Sequence, residues 1–188
     1  EETLARALAE NLTGKLNELG VKKVVTLSPH AFNIMKTDYP AWGGAFAVEH
    51  WTRVLAPRVG TLPFKETVRA VTYHDPCYLG RWQGEYEAPR ALLNAVPGVT
   101  LLEMPRNRKN ALCCGGGGGN FFTDVLGHGP DQAARVRVRE AVETGAEVLV
   151  AACPLCLKMF DDAVKAEGLG ERLAVRDAAS LLLDSLAS

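Results

Sequence analysis

Long apolar runs are missing from this 188-residue chain. Its longest, near Ala146–Ala152 and Ala178–Leu186, fall well short of the roughly 18 to 20 residues needed to cross a bilayer. An excess of one charge is missing too. Its 21 Lys and Arg stand against 22 Asp and Glu, a net charge of −1. That balance lacks the electrostatic footprint of a nucleic-acid binder, so no nucleic-acid partner is expected. Neither a Gly-x-Gly-x-x-Gly turn between strand and helix nor a Walker loop occurs, so no nucleotide is expected. The start shows no signal-peptide pattern. Without one, an odd number of cysteines (five) fits a secreted disulfide framework poorly. A cytoplasmic protein using thiolates for metal or redox chemistry fits better. Glu1-Glu2 opens the chain inside a helical pattern with no initiator Met, so a piece of a longer polypeptide is expected.

What is present is ordinary for a globular protein, with 47% hydrophobic and 23% charged residues, enough to bury a core. Residues Glu1 to Leu19 read as an amphipathic helix with Leu4, Leu8, Leu12, Leu16 and Leu19 on its apolar face, stopped by Gly20. Val21–Leu27 reads as a buried strand. A helix from about Phe32 is ended by Pro40, Ala47–Val54 fits either element type, and Pro57 to Phe64 is a turn-rich connector. Thr67–Tyr73, Val99–Glu103 and Glu147–Ala151 read as strands. Pro89–Ala95, Asp131–Thr144, a segment opening at Cys153-Pro154-Leu155-Cys156, and Asp177–Leu186 read as helices. The alternation predicts an α/β fold: two related αβ units, each with a short parallel sheet flanked by helices.

Two joints resemble one another. Val24-Val25-Thr26-Leu27-Ser28-Pro29-His30-Ala31 aligns with Leu149-Val150-Ala151-Ala152-Cys153-Pro154-Leu155-Cys156, and Ala47-Val48-Glu49 with Ala174-Val175-Arg176. Ser28 and Val48 are 20 residues apart, Cys153 and Val175 22, as one unit used twice would require. Only the later copy has sulfur, since Ser28 and Ala31 stand where its cysteines stand.

All five cysteines fall into one pattern: Cys77, thirty-five residues, Cys113-Cys114, thirty-eight residues, Cys153, two residues, Cys156. Each group follows a predicted strand. Ligands of α/β folds collect at the carboxyl ends of strands, so all five can converge at one sheet edge. The Cys-x-x-Cys pair opens a helix, whose N-terminal dipole favours thiolates. Gly115 to Gly119 follow the cysteine pair, letting the backbone approach a bulky object and offering amides to its sulfurs. Five thiolates are one more than tetrahedral zinc uses and suit an iron–sulfur cluster. Ligand type alone leaves zinc open, and dithiol–disulfide chemistry at Cys153 and Cys156 is a third reading.

Cys-Cys-Gly set between Cys77 and Cys153-x-x-Cys156 resembles the CCG cysteine-rich domain found in heterodisulfide reductase. It also resembles the iron–sulfur subunits of glycolate, lactate and anaerobic glycerol-3-phosphate oxidising enzymes. The strings His74-Asp75-Pro76-Cys77-Tyr78-Leu79-Gly80-Arg81, Ser28-Pro29-His30-Ala31-Phe32-Asn33 and Ala152-Cys153-Pro154-Leu155-Cys156 carry the same likeness. That family normally carries the domain twice. The resemblance implies that residues 61–188 are a complete second copy and residues 1–60 the tail of a first, cysteine-depleted one. It implies ligation by Cys77, Cys113, Cys114, Cys153 and Cys156 of a 4Fe–4S or larger noncubane cluster, with zinc at such sites in some members. It further implies an electron-transfer module between a flavoprotein or ferredoxin-type partner and a quinone or disulfide acceptor. A membrane or quinone partner through an upstream region, peripheral to the inner face of the membrane, belongs to the same expectation.

Among the histidines, His74 precedes Cys77 by three residues and is the candidate to bond a thiolate or move a proton. His30 reads as structural, and His50 and His128 as surface or packing residues. Asp75 reads as a turn cap. Arg81, Arg90, Arg106 and Arg108, with Lys109, read as a solvated basic stretch, and Trp42, Trp51 and Trp82 as core or interface.

Overall fold

The computed structural model describes residues 2–123, 127 and 129–187; the expectation for His128 lies outside them. In chain order α1 (Glu2–Glu18), β1 (Lys23–Thr26), α2 (Pro29–Thr37), β2 (Ala47–His50) and α3 (Trp51–Leu55) come first. A 3-10 turn over Ala56–Thr61 leads to β3 (Arg69–His74), α4 (Cys77–Gly80), α5 (Glu87–Asn94) and β4 (Val99–Leu101). Then follow α6 (Ala133–Glu143), β5 (Val148–Ala151), α7 (Pro154–Ala166), β6 (Ala174–Asp177) and α8 (Ala178–Asp184). The fold is α/β, as expected. β1 and β2 form a two-stranded parallel sheet, and a second parallel sheet runs in the order β4-β3-β5-β6.

β5 reads Val148-Leu149-Val150-Ala151 without a polar residue because helices cover both of its faces. Successive strand residues point to opposite faces. Leu149 and Ala151 pack with Ala134, Val138 and Ala141 of α6 and Phe160 and Ala163 of α7. Val148 and Val150 pack with Val71 and Tyr73 of β3, Leu92 and Leu93 of α5, Leu181 and Leu182 of α8, and Trp51. The run β1-α2-β2-α3 has the same element order as β5-α7-β6-α8. Ser28 and Cys153 are the N-cap residues of α2 and α7, each followed by proline at the first helical position.

Several elements differ from expectation for identifiable reasons. α2 starts at Pro29, because the Ser28 hydroxyl accepts the Ala31 N–H at 3.3 Å and caps the helix there. Ala47–Val54 is both element types in succession, the strand ending at His50 and the helix starting at Trp51. β1 is not buried: its side chains alternate between exposed and half-buried, and among the described residues only β2 pairs with it. α1 turns most of its leucines outward, with Leu4 at 65% and Leu8 at 63% exposure, and buries Ala9 and Thr13, while Leu16 packs half-buried against the Phe32 cluster. Trp51 is buried, as expected, but Trp82 is exposed and stacks with Tyr78 at 6.1 Å.

The basic stretch is not uniformly solvated. Arg90 is buried and donates both Nη atoms to the carboxylate of Asp75, at 2.7 and 2.9 Å. Its Nε and Nη2 reach Glu103 at 2.6 and 2.9 Å. Asp75 also accepts the backbone N–H of Arg108 at 2.7 Å, so it clamps the loop after β4 to the exit of β3 rather than only capping a turn. Breaking a buried pair from one side strands the other charge. Asp75→Ala should therefore cost about 3–5 kcal/mol in urea unfolding, against under about 1 kcal/mol for Asp162→Ala, which removes an exposed pair with Lys158.

Candidate metal centre

β3 and β5 are hydrogen-bonded neighbours in the middle of the four-stranded sheet, with Tyr73 opposite Val150 and His74 opposite Ala151. Their carboxyl ends therefore open side by side. Asp75-Pro76 turns the chain so that Cys77 begins α4, while Cys153 caps α7 and Cys156 sits in that helix's first turn. Cys113 and Cys114 arrive from the loop after β4. Arg81 holds this loop through the carbonyls of Lys109 and Ala111, and Asp75 through Arg108, whose φ of 51° is left-handed.

The five cysteines gather at this edge. Cys156 donates to Cys114 across 3.2 Å, the one sulfur–sulfur hydrogen bond among the described residues. Cys113 interacts electrostatically with Cys77 and Cys114, and Cys153 with Cys156. Cys114, Cys153 and Cys156 are buried, Cys77 and Cys113 half-buried, and none is bridged. Gly115 takes φ 80° and donates its N–H to Cys113 Sγ at 3.3 Å. At Gly116 a Cβ would lie 2.9 Å from Met159 Cγ, so the loop can press against α7 only without a side chain there. At Gly117 to Gly119 a Cβ would meet nothing within 4 Å. Close backbone approach thus explains the first part of the glycine run and not the rest.

Mutual interaction sorts the thiols into donors and acceptors. Interaction with Cys114 and Cys77 pushes Cys113 down to about 2, and interaction with Cys156 pushes Cys153 down to about 5. Their partners move the other way: Cys114 rises to about 12 through its interaction with Cys113, and Cys77 and Cys156 also rise, for the same reason first and burial second. Metal-free, the site therefore favours ionisation at Cys113 and Cys153 over the other three sulfurs.

His74 is fully buried, with its ring edge-on to Phe160 at 4.6 Å. Its Nδ1 accepts from Arg137 Nε at 3.3 Å, while Nε2 has no partner among the described residues. Burial first, and Arg137 second, hold the imidazole neutral. A ring nitrogen of His74 and the sulfurs of Cys114 and Cys156 lie within 4.8 Å of one another. His30, read as structural, reaches the same centre: its Nδ1 is 4.0 Å from Cys153 Sγ and its ring lies 4.2 Å from that of Tyr78. His50 is buried but apart from the sulfurs, bonded to Thr52 Oγ1 at 2.8 Å and to the Leu27 carbonyl at 3.2 Å.

The site residue that sequence reasoning missed is Arg137. A signal exists, because helical spacing puts position 137 with Ala134, Val138 and Ala141 on the buried face of α6. A sulfur-rich donor set, mostly buried and with the Gly115 N–H directed at it, fits an iron–sulfur cluster.

The Cysteine-rich domain (CCG) family model matches residues 71–161. The chain is 38% identical to the probable iron-sulfur-binding oxidoreductase FadF of Bacillus subtilis, over 98% of the chain and 26% of that protein. It is 36% identical to the EtfAB:quinone oxidoreductase of Syntrophomonas wolfei, over 96% of the chain and 26% of the relative. It is 34% identical to one subunit of the dihydromethanophenazine:CoB–CoM heterodisulfide reductase of Methanosarcina barkeri, over 98% of the chain and 46% of the relative. The chain thus spans less than half the length of these relatives.

The thiolate assignment can be checked by alkylating the reduced, chelator-treated chain with iodoacetamide and mapping the labelled peptides. From pH 9 to pH 6, an ordinary thiol with pKa of about 8.5 slows more than about a hundredfold. Cys113, already ionised at both values, should slow far less. An equal fall at Cys113 and in an unfolded control would refute the assignment.

Proposed function

From the match of residues 71–161 to the Cysteine-rich domain (CCG) family model, we propose that the chain is the electron-transfer iron–sulfur module of a heterodisulfide-reductase-like oxidoreductase. The observation that carries the reading is the gathering of five unbridged, buried or half-buried cysteines at the carboxyl edge of β3 and β5, with Cys114 and Cys156 in hydrogen-bond contact. Cys77, Cys113, Cys114, Cys153 and Cys156 would hold a 4Fe–4S or noncubane cluster, which supplies one-electron transfer when bound. The protein contributes a largely buried pocket, the Gly115 amide directed at a sulfur, and the N-terminus of α7 beside Cys153 and Cys156.

Residues 61–188 are, in this reading, a complete unit. Residues 1–60 are the tail of a related unit that lacks sulfur at Ser28 and Ala31 and holds no cluster of its own. The partners proposed are a flavoprotein or ferredoxin-type donor and a quinone or disulfide acceptor, in keeping with relatives named for quinone and heterodisulfide reactions. No helix among the described residues is long and apolar enough to cross a membrane. The attachment proposed is peripheral, at the inner face of the membrane through partners.

A second reading, a zinc-binding module without turnover, is favoured by one observation. Among the described residues, His74, Cys114 and Cys156 bring their ligand atoms within 4.8 Å of one another, as a single ion would need. Protein prepared anaerobically separates the two readings. Iron and acid-labile sulfide with a broad absorbance near ~400 nm support the cluster, whereas colourless protein with one zinc refutes it. Cys114→Ser, which removes the central sulfur of the set, should lose most of the iron or change its spectrum. Unchanged iron and spectrum would remove Cys114 from the ligands.

A further inference from the structure

We propose that His74 donates a hydrogen bond to the sulfurs of this centre and is not one of its ligands, with Arg137 as the positioning residue that sets its tautomer. The inference rests on the site holding a metal or cluster, as proposed above. It starts from a one-way property of arginine: a guanidinium carries only donors. Arg137 Nε lies 3.3 Å from His74 Nδ1, so Nδ1 accepts and bears no proton. The single proton of the imidazole is then on Nε2. That nitrogen is buried and has no partner among the described residues, on a ring of which one nitrogen lies within 4.8 Å of the sulfurs of Cys114 and Cys156.

Ligation would need the opposite arrangement. A metal-bound histidine turns a lone pair to the metal and gives its other ring N–H to an acceptor, commonly a carboxylate or carbonyl. Here the other ring nitrogen faces a donor. Binding a metal through Nε2 would drive the proton onto Nδ1, against the Nε–H of Arg137. Arg137 is not placed to turn away, since it is fully buried and its Nη1 is held by the Arg106 carbonyl at 2.6 Å and Glu140 Oε2 at 2.8 Å. Phe160, edge-on to the imidazole, limits the ring's movement from another side.

The proposed donor has a consequence for redox balance. A hydrogen bond to cluster sulfur stabilises the reduced state, which carries one more negative charge, and so raises the reduction potential. His74→Leu should keep the iron content and weaken the reduction equilibrium about tenfold, which is about 59 mV for one electron. His74→Gln, which retains an N–H donor, should recover most of that loss. Arg137→Met frees Nδ1 to take the proton and should shift the potential the same way, while Arg137→Lys, which keeps a charged donor, should restore it.

The test combines iron or zinc counts, redox titration and pulsed EPR of the reduced protein. Weak nitrogen coupling in the unsubstituted protein supports the donor, and strong coupling from directly bonded nitrogen overturns it. That measurement holds even where a variant fails to fold. Loss of metal in both His74→Leu and His74→Gln would overturn the proposal, as would a potential unmoved by His74→Leu. If the unsubstituted protein contains zinc and no cluster, the proposed function fails separately. The donor assignment is then decided by zinc content, retained in His74→Leu if it is correct and lost if it is wrong.

Discussion

The parallel pairing of β3 with β5 is the constraint on which the rest of the site depends. Parallel neighbours end at the same sheet edge, so the turns leaving them must share one small volume. Cys77 leaves one strand and Cys153-x-x-Cys156 the other, with His74 opposite Ala151 at the rim. Cys113 and Cys114, far from both in sequence, complete the set only because their loop is tied down by Asp75 and Arg81. Antiparallel pairing of the same strands would send the two exits to opposite edges and separate the sulfurs.

Charge follows the same geometry. Thiolates in a buried pocket need compensation, which here is close at hand in neighbouring S–H groups, a backbone amide and the start of α7. Two buried arginines flank the region. Arg90 is satisfied by Asp75 and Glu103 and serves mainly to lock the exit of β3. Arg137 is only partly neutralised by Glu140 and leans on the imidazole instead, so its charge acts on the centre through His74. Identical residue types thus do different work, according to how fully carboxylates take up the charge.

Much of the fold was legible in the residues. β-branched runs and the Gly and Pro stops marked most strands and helices, because local backbone preference and burial agree there. The misses share a cause. Leu4 and Leu8 have helical spacing, yet α1 buries Ala9 and Thr13, since periodicity shows that a helix has a face and not what neighbour it meets. β1 has the composition of a buried strand but, among the described residues, only one pairing partner. Arg90 looked like surface beside other basic residues, and its burial depends on Asp75 and Glu103 arriving from other elements.

The sequence by itself determined the chemistry: five thiols in a fixed spacing, a permissive glycine turn beside two of them, and strand-to-helix joints that bring such residues to strand ends. Those are properties of side-chain type and short-range backbone geometry, which spacing encodes directly. Tertiary structure alone decided which sulfurs touch, that His30 approaches Cys153, and that Arg137 meets His74 nose to ring. The Cys114–Cys156, His30–Cys153 and His74–Arg137 contacts join residues dozens of positions apart, and a contact of that kind is set by the pairing order of the sheet and the packing of helices over it.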